Sequence, residues 1–303
     1  MATSQPSELP PCCGMGSMLG GRMDTSLDGV IVGVTAERRA DQQARYLESL
    51  GAEVICAPVL QTIDARTNPR LIAATYDLID HPAEVLVVQT GQGFQWWLDA
   101  ADNDDKLDGL LGSLRTTDVW CRGARASSAA RAVGLAPTWE AATETVGDVA
   151  EHLTQVELRG HRVAIQLDGN DDQCLVDVAR AQGAHVVELD VYRYAMPVDL
   201  EPCHDLIDRI ITGHVDAVTF TTSAAIRHLR GIAASAGRLR LLDRAFDGAC
   251  VAVVVGPVCA SAASDVGWTG VVRPPTPRID AMLDALTAAL CWDDDESGAL
   301  PST

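Results

Sequence analysis

Lysine is almost missing from this sequence of 303 residues, in which Lys106 is the single example and lies in the acidic stretch 103–108. A P-loop requires a lysine after its glycines, and Schiff-base enzymes require a buried lysine, so the sequence excludes both classes. Positive charge is scarce in general, with 23 Lys and Arg against 42 Asp and Glu and a net charge of −19. Because nucleic-acid binding needs a basic surface, we expect no nucleic-acid partner.

Long apolar runs are also missing. Apolar residues make up 47% of the chain, yet no run reaches the roughly 18–20 residues that span a bilayer. Residues 1–28 contain three acidic side chains, a Pro-Pro pair and several glycines, but no apolar segment of a signal peptide. We therefore expect a globular cytoplasmic protein with no membrane partner, and polar, disordered tails at 1–28 and 291–303.

Motifs for metal and nucleotide cofactors do not occur. The nine cysteines are scattered, with no Cys-x-x-Cys and no zinc-like pairing with the seven histidines. His-Glu-x-x-His and Gly-x-Ser-x-Gly are absent, and the Gly91-Gln92-Gly93 sequence lacks the third glycine of a dinucleotide fingerprint. We expect reduced core cysteines, no metal site and no cofactor.

Short apolar runs alternate with helical stretches, which is the pattern of a parallel α/β protein. The runs are almost continuously apolar, as in strands that are buried on both faces. Predicted strands lie at 30–35, 54–58, 85–88, 118–121, 162–166, 185–189, 215–220 and 251–255. A weak internal similarity pairs Val87–Gly91 with Thr219–Ser223, and Trp120–Ala124 with Val254–Val258. This similarity predicts two related α/β halves.

Six junctions between a strand and the next helix carry small, basic or hydroxyl residues. The free N–H groups and the positive end of a helix dipole favour carboxylates and phosphates there. The carboxyl ends of parallel strands share one rim, where ligands of open α/β sheets bind. Helix capping alone is the alternative for each junction. The junctions are Thr35, Thr90-Gly91, Arg122-Gly123, Gly169-Asn170, Thr222-Ser223 and Gly256-Pro257.

A tyrosine follows the predicted strand that ends at Val191. The hydroxyl of Tyr192, at a strand end, could donate or relay a proton. A half-buried structural aromatic is the alternative. Because side chains alternate along a strand, we expect Arg193 to face the side opposite to Tyr192.

Several short motifs, in their order and spacing over about residues 29–290, resemble the uroporphyrinogen-III synthase family. They are Val32–Thr35, Leu50–Val54 with Ala57–Val59, Gly183–Glu188 running into Val191–Arg193, Phe220–Ser223, Val255–Pro257 and Pro275–Pro277. The resemblance implies an α/β fold of two flavodoxin-like parallel-sheet lobes, the second inserted into the first and joined to it by a two-stranded hinge. The discontinuous lobe would comprise 29–61 and 199–290, and the inserted lobe 62–198. The hinge strands would lie at Pro58–Ile63 and Val191–Val198, with the active site between the lobes.

The resemblance also implies a reaction. The family cyclises hydroxymethylbilane to uroporphyrinogen III, inverts the last pyrrole ring, loses water and uses no cofactor. Tyr192 matches the acid that assists departure of the hydroxyl, and Thr222 matches a hydroxyl position in the second turn. The linear tetrapyrrole would be bound, by a monomer, at Thr35, Arg38, Thr90, Arg122, Gly123, Gly169, Thr221, Ser223, Gly256, Pro257 and Cys259.

A second hypothesis is that the chain is a regulatory protein and not an enzyme. It would then be a catalytically weak synthase-like module that binds a tetrapyrrole or a protein partner. An open cleft with Tyr192 pointing into it, lined by Thr35, Thr222 and Arg193, would favour the enzyme. A cleft blocked by Trp96 or Trp97 would favour the module. Cys259 also stands where the family often has threonine, which weakens the hydrogen-bonding capacity of that position.

Overall fold

The computed structural model describes residues 27–167, 169 and 173–291. Asn170 and most of the two predicted tails lie outside the described residues. The strands are β1 (Ile31–Val34), β2 (Glu53–Cys56), β3 (Gln61–Asp64), β4 (Val85–Val88), β5 (Asp118–Cys121), β6 (Pro137–Glu140), β7 (Arg162–Leu167), β8 (His185–Asp190), β9 (Tyr192–Ala195), β10 (Ala217–Phe220), β11 (Val251–Val254) and β12 (Val271–Val272). The helices are α1 (Ala40–Ser49), α2 (Pro69–Asp80), α3 (Gly91–Asn103), α4 (Leu107–Leu114), α5 (Ala124–Ala132), α6 (Val146–Gln155), α7 (Gln173–Ala181), α8 (Glu201–Ile211), α9 (Ser223–Ser235), α10 (Leu239–Phe246), α11 (Pro257–Asp265) and α12 (Ile279–Cys291).

The first five-stranded sheet has the order β12-β11-β10-β1-β2, and its pairs are parallel. If the five strands of this sheet are numbered 1 to 5 in chain order, their spatial order, read from β2 to β12, is the flavodoxin-like order 2-1-3-4-5. The central strands are apolar because both of their faces are covered, and β10 has all four residues buried. We call this sheet with its helices the first lobe.

The second sheet has the order β6-β5-β4-β7-β8 and is also parallel. If its strands are numbered 1 to 5 in the sequence β7, β8, β4, β5, β6, the spatial order read from β8 to β6 is again 2-1-3-4-5. Strand β4 then has the place of β10, and β5 has the place of β11. The internal similarity of the sequence therefore pairs strands that occupy equivalent places in the two sheets. We call this sheet with its helices the second lobe.

A two-stranded antiparallel ribbon of β3 and β9 joins the lobes, with Gln61 opposite Ala195 and Asp64 opposite Tyr192. Both strands lie within or close to the segments predicted as the hinge. Each of the four buried hydrophobic clusters in the described chain draws its fully buried members from one lobe and the adjoining linker residues, and Tyr194 packs against a cluster of each lobe. The lobe boundaries at 61/62 and 198/199 stay a prediction.

Two edge strands were not predicted from the sequence. Strand β6 begins with a proline and has no buried residue, and β12 has only two residues. Both lie at the outer edge of their sheets, where proline and short strands are tolerated. A strand is predicted from a run of apolar residues, and such runs occur in buried central strands. The edge strands β6 and β12 have too few apolar residues to be predicted in this way.

Candidate functional site

The strand-to-helix junctions of both sheets lie at the carboxyl ends of parallel strands, as the sequence predicts. In the first lobe these ends belong to β1, β10 and β11, and in the second lobe to β4, β5 and β7. Three contacts between the junction regions join the lobes. Arg38 Nη2 donates to Gln92 Oε1 at 3.0 Å, the Arg38 guanidinium lies 5.7 Å from the Trp96 ring centroid, and Arg125 Nη2 donates to the Pro277 carbonyl at 3.4 Å. The two sets of junctions therefore face each other across the boundary between the lobes, and we call the space between them the cleft.

Two threonines cap equivalent helices in the two lobes. Thr90 Oγ1 accepts from the Gly93 N–H at 3.1 Å at the start of α3. Thr222 Oγ1 accepts from the Ala225 N–H at 3.1 Å at the start of α9. Both residues have extended backbones, the conformation of an N-cap. Capping occupies one lone pair of each hydroxyl, and Thr90 Oγ1 also accepts from Gln166 Nε2.

Thr221 and Ser223 flank this cap and are partly buried. The three consecutive hydroxyl residues therefore line the turn between β10 and α9. Thr35, in contrast, is wholly buried, and its hydroxyl donates to the Thr219 carbonyl at 2.6 Å. Thr219 in turn donates to Gln43 Oε1 at 3.1 Å. In this arrangement the Thr35 side chain ties β1 to β10, so it does not line an open cleft.

A polar network that sequence reasoning missed lies at the equivalent place in the second lobe. Arg122 Nη1 donates to Gln89 Oε1 at 3.1 Å, and Gln89 Nε2 donates to the Gln166 carbonyl at 2.7 Å. Gln166 Nε2 then donates to Thr90 Oγ1 at 2.8 Å. Gln89 and Gln166 are buried, and Gln166 Oε1 has no hydrogen-bond partner among the residues that the structure describes. The network fixes the Arg122 guanidinium and Thr90 relative to each other.

Glycines at three junctions allow close packing. Gly169 has φ +74°, and a Cβ there would lie 2.8 Å from Tyr192 Cε2. A Cβ on Gly123 would lie 2.8 Å from Glu144 Cγ, and one on Gly256 would lie 2.9 Å from Pro277 Cβ. Any larger residue would therefore have to displace these neighbouring side chains.

The first turn of α11 holds the remaining predicted residues. Pro257 is exposed at the first helical position, which suits its missing N–H. Cys259 is buried, and burial raises the pKa of its thiol to about 12. The thiol is therefore neutral at physiological pH and a weak hydrogen-bond donor, so Cys259 cannot hold a carboxylate as strongly as a hydroxyl would.

Tyr192 begins β9 at the junction of the lobes and is 7% exposed, whereas the neighbouring Arg193 is exposed. The Tyr192 ring is enclosed by aromatic neighbours. Its centroid lies 5.6 Å from that of Trp96 with the planes at 87°, and 5.6 Å from that of Tyr194 with the planes at 66°. Trp96 therefore covers the residue that was predicted to face an open cleft, and this closed arrangement is the one that the sequence associated with a binding module.

Neither a membrane span nor a metal cluster occurs in the part of the chain that the structure describes. No helix in the described ranges is both long and apolar enough to cross a bilayer. Among the same residues, no group of three or more His, Cys, Asp or Glu is arranged to hold a metal ion.

Known proteins resemble this chain in sequence and in fold. A family model described as uroporphyrinogen-III synthase HemD matches residues 41–284. The uncharacterized protein YjjA of Bacillus subtilis is 25% identical over 264 residues, which are 86% of this chain and 96% of that protein. A mutant uroporphyrinogen III synthase from the extremely thermophilic bacterium Thermus thermophilus has a crystal structure that superposes on this chain with a TM-score of 0.72. The two sequences are 24% identical, and the match covers 86% of this chain and 98% of the synthase. The uroporphyrinogen-III synthetase of Helicobacter pylori is 13% identical, covers 86% of this chain and 99% of that one, and has a TM-score of 0.51. The two solved structures share the fold with this chain.

Proposed function

The chain belongs to the uroporphyrinogen-III synthase family, and on this premise we propose that it cyclises hydroxymethylbilane to uroporphyrinogen III, a step of tetrapyrrole and heme biosynthesis. The observation that carries the proposal is the place of Tyr192. It lies on the ribbon between the lobes, and its ring packs against Trp96 of α3. We expect the protein to act as a cytoplasmic monomer.

In the proposed reaction, Tyr192 is the acid that gives a proton to the departing hydroxyl, which leaves as water. Thr222 supplies a second hydroxyl from the opposite lobe. Departure of the hydroxyl leaves an electrophilic methylene carbon, which bonds to the substituted carbon of the terminal pyrrole and gives the spiro intermediate. The bond between that pyrrole carbon and its original methylene bridge then breaks, the freed bridge carbon bonds to the unsubstituted carbon of the same ring, and that carbon releases a proton. That proton restores the phenol, so the balance is the loss of one water and no cofactor is needed.

Binding a carboxylate-rich substrate is the main electrostatic task of a chain with a net charge of −19. Local positive features must supply the attraction because the overall field is repulsive. Arg38, Arg122 and the N–H groups at the starts of α3, α5, α9 and α11 are the candidates. Holding a flexible bilane in one conformer is itself catalytic, because well-oriented groups react far faster than free ones.

The regulatory module is retained as a second candidate because Trp96 covers Tyr192. In the lyase, Trp96 and the groups around it must move enough to expose the Tyr192 hydroxyl to substrate. In the module, the covered tyrosine would be a permanent packing residue, and a tetrapyrrole would bind without turnover.

The deciding experiment is an assay with freshly prepared hydroxymethylbilane, in which isomer III is scored against the spontaneously formed isomer I by chromatography. We expect isomer III to dominate in proportion to enzyme concentration, and heat-inactivated protein to give isomer I. Folded protein that binds a tetrapyrrole but yields only isomer I would reject the lyase and support the module.

A further inference from the structure

We propose that Trp96 is a positioning residue for Tyr192, and that Arg38 of the first lobe holds Trp96 in place when the lobes close. Through these two contacts, lobe closure would orient the proposed acid. The catalytic part of this inference rests on the proposed function, whereas the structural part, that Arg38 and Trp96 restrain the Tyr192 ring, can be tested without turnover.

Packing sets the direction of the Tyr192 hydroxyl. The ring meets Trp96 edge to face on one side and Tyr194 on another, and it is also close to the Gly169 backbone. Edge-to-face pairs have a preferred geometry and contribute about 0.5–1.5 kcal/mol beyond the area that they bury. Trp96 is the member of this enclosure that belongs to a helix facing the cleft, so loss of its ring would free the phenol to rotate.

Arg38 links Trp96 to the other lobe. Its guanidinium lies 5.7 Å from the Trp96 ring centroid, and its Nη2 donates to Gln92 Oε1 one turn earlier on α3. Arginine over an indole face is a favourable cation–π arrangement. Arg38 leaves this position if the lobes separate, so Trp96 has its full set of contacts only in the closed form.

The neighbouring tryptophan has a different environment and provides a matched control. Trp97 is fully buried, packs against Phe94 with a centroid separation of 6.0 Å, and donates its indole N–H to Thr75 Oγ1 at 2.9 Å. These contacts lie within the core of the second lobe. A substitution of Trp97 therefore disturbs α3 and its stability without removing the contact with Tyr192.

The first measurement uses NMR of tyrosine rings labelled with ¹³C in the substrate-free protein. The chain has four tyrosines, and loss of one signal in Tyr192→Phe assigns Tyr192. We expect Trp96→Ala to remove the ring-current shift of the Tyr192 signal and to speed its ring flips. Arg38→Gln should move the same signal in the same direction by less, whereas Trp97→Phe and the exposed Arg45→Gln should leave it in place.

The second measurement is a double-mutant cycle on turnover. We expect Trp96→Ala to lower kcat by about 10- to 100-fold, since small displacements of a reacting group have effects of this size. Trp96→Phe should recover most of the rate. In the Tyr192→Phe background, Trp96→Ala should cause little further loss, because its effect acts through the missing hydroxyl.

Two results would overturn the inference. One is a Tyr192 signal that does not change in Trp96→Ala, and the other is an equal loss of kcat in both backgrounds, which indicates a purely structural role. If the wild-type protein makes no isomer III, the proposed function fails. The NMR series then decides alone whether Arg38 and Trp96 restrain the Tyr192 ring.

Discussion

Tyr192 combines a nearly buried ring with a polar tip, and this combination determines what its hydroxyl can do. A phenol is neutral at physiological pH, so it can be enclosed by Trp96 and Tyr194 without the cost of burying a charge. A carboxylic acid in the same place would need a strongly raised pKa to remain protonated. Tyrosine therefore suits a proton donor that is covered until the substrate arrives.

Removal of this hydroxyl tests its proposed role. We expect Tyr192→Phe to lower turnover by up to ~100-fold, the low end for a general acid, with an unchanged melting temperature. The loss should be incomplete because positioning of the bilane supplies much of the rate. Tyr76→Phe, on an exposed tyrosine of α2, is the control and should keep full activity. Wild-type turnover in Tyr192→Phe would return Tyr192 to the role of a structural aromatic.

Arg122 tests how an acidic protein holds an acidic substrate. Its hydrogen bond to Gln89 fixes the guanidinium at the start of α5, on the side of the second lobe that faces the cleft. We expect Arg122→Ala to raise KM while kcat stays nearly unchanged, which is the signature of lost uniform binding. The effect should shrink as salt concentration rises.

The control for Arg122 is Arg115→Ala, which removes an exposed arginine at the end of α4. It should leave KM unchanged although it alters the net charge equally. An unchanged KM for Arg122→Ala at low ionic strength would leave substrate binding to the backbone N–H groups of the helix starts.

The residues of the site were predictable to different degrees. Thr90 and Thr222 were found because a hydroxyl after an apolar strand is a sequence pattern with a known local structure. Gln89 and Gln166 were missed because nothing in the sequence shows that residues 77 positions apart bond to each other. Trp96 was expected only as an obstruction, since its contact with Tyr192 depends on how α3 packs against β9.

At the scale of elements, the two lobes repeat one arrangement, in which a threonine caps the helix that follows the central strand of the sheet, β4 or β10. Thr90 precedes α3 and Thr222 precedes α9. The pattern was visible in the sequence because a short, mostly apolar strand comes within two residues of each cap. The edge strands β6 and β12 were not visible, because their stability comes from a neighbouring strand rather than from their own apolar residues.

A comparison of two caps separates stability from function. Thr222 caps α9 at the cleft, and Thr145 caps α6 of the second lobe by accepting from the Asp148 N–H at 3.2 Å. We expect Thr222→Ala and Thr145→Ala each to lower the free energy of unfolding by about 1 kcal/mol. Only Thr222→Ala should also lower turnover, and Thr222→Ser should restore both. Equal activity of the two alanine variants would assign Thr222 to capping alone.

For the whole molecule, the order of the short motifs along the chain was sufficient to predict two parallel-sheet lobes. It could not predict how the lobes meet. Arg38 and Gln92 are 54 positions apart, and Arg125 and Pro277 are 152 positions apart. Such contacts depend on the angle between the lobes, which a two-stranded ribbon leaves adjustable.

We expect the angle between the lobes to change in solution. The lobes have separate buried cores and are joined by β3, β9 and a few exposed contacts, and small interfaces of this kind permit domain motion. The distance between the lobes can be measured with spin labels on Asp108→Cys in the second lobe and Arg244→Cys in the first, in a background without other reactive cysteines. We expect a broad distribution of the distance between the two labels, and we expect a bound tetrapyrrole to narrow it. Arg38→Gln should broaden the distribution further, because it removes both the hydrogen bond to Gln92 and the contact with Trp96. Arg230→Gln breaks an ion pair with Asp243 inside the first lobe, at 2.9 Å, and should not broaden it. Identical interlobe angles in several crystal forms, with and without a tetrapyrrole, would show instead that the ribbon is rigid.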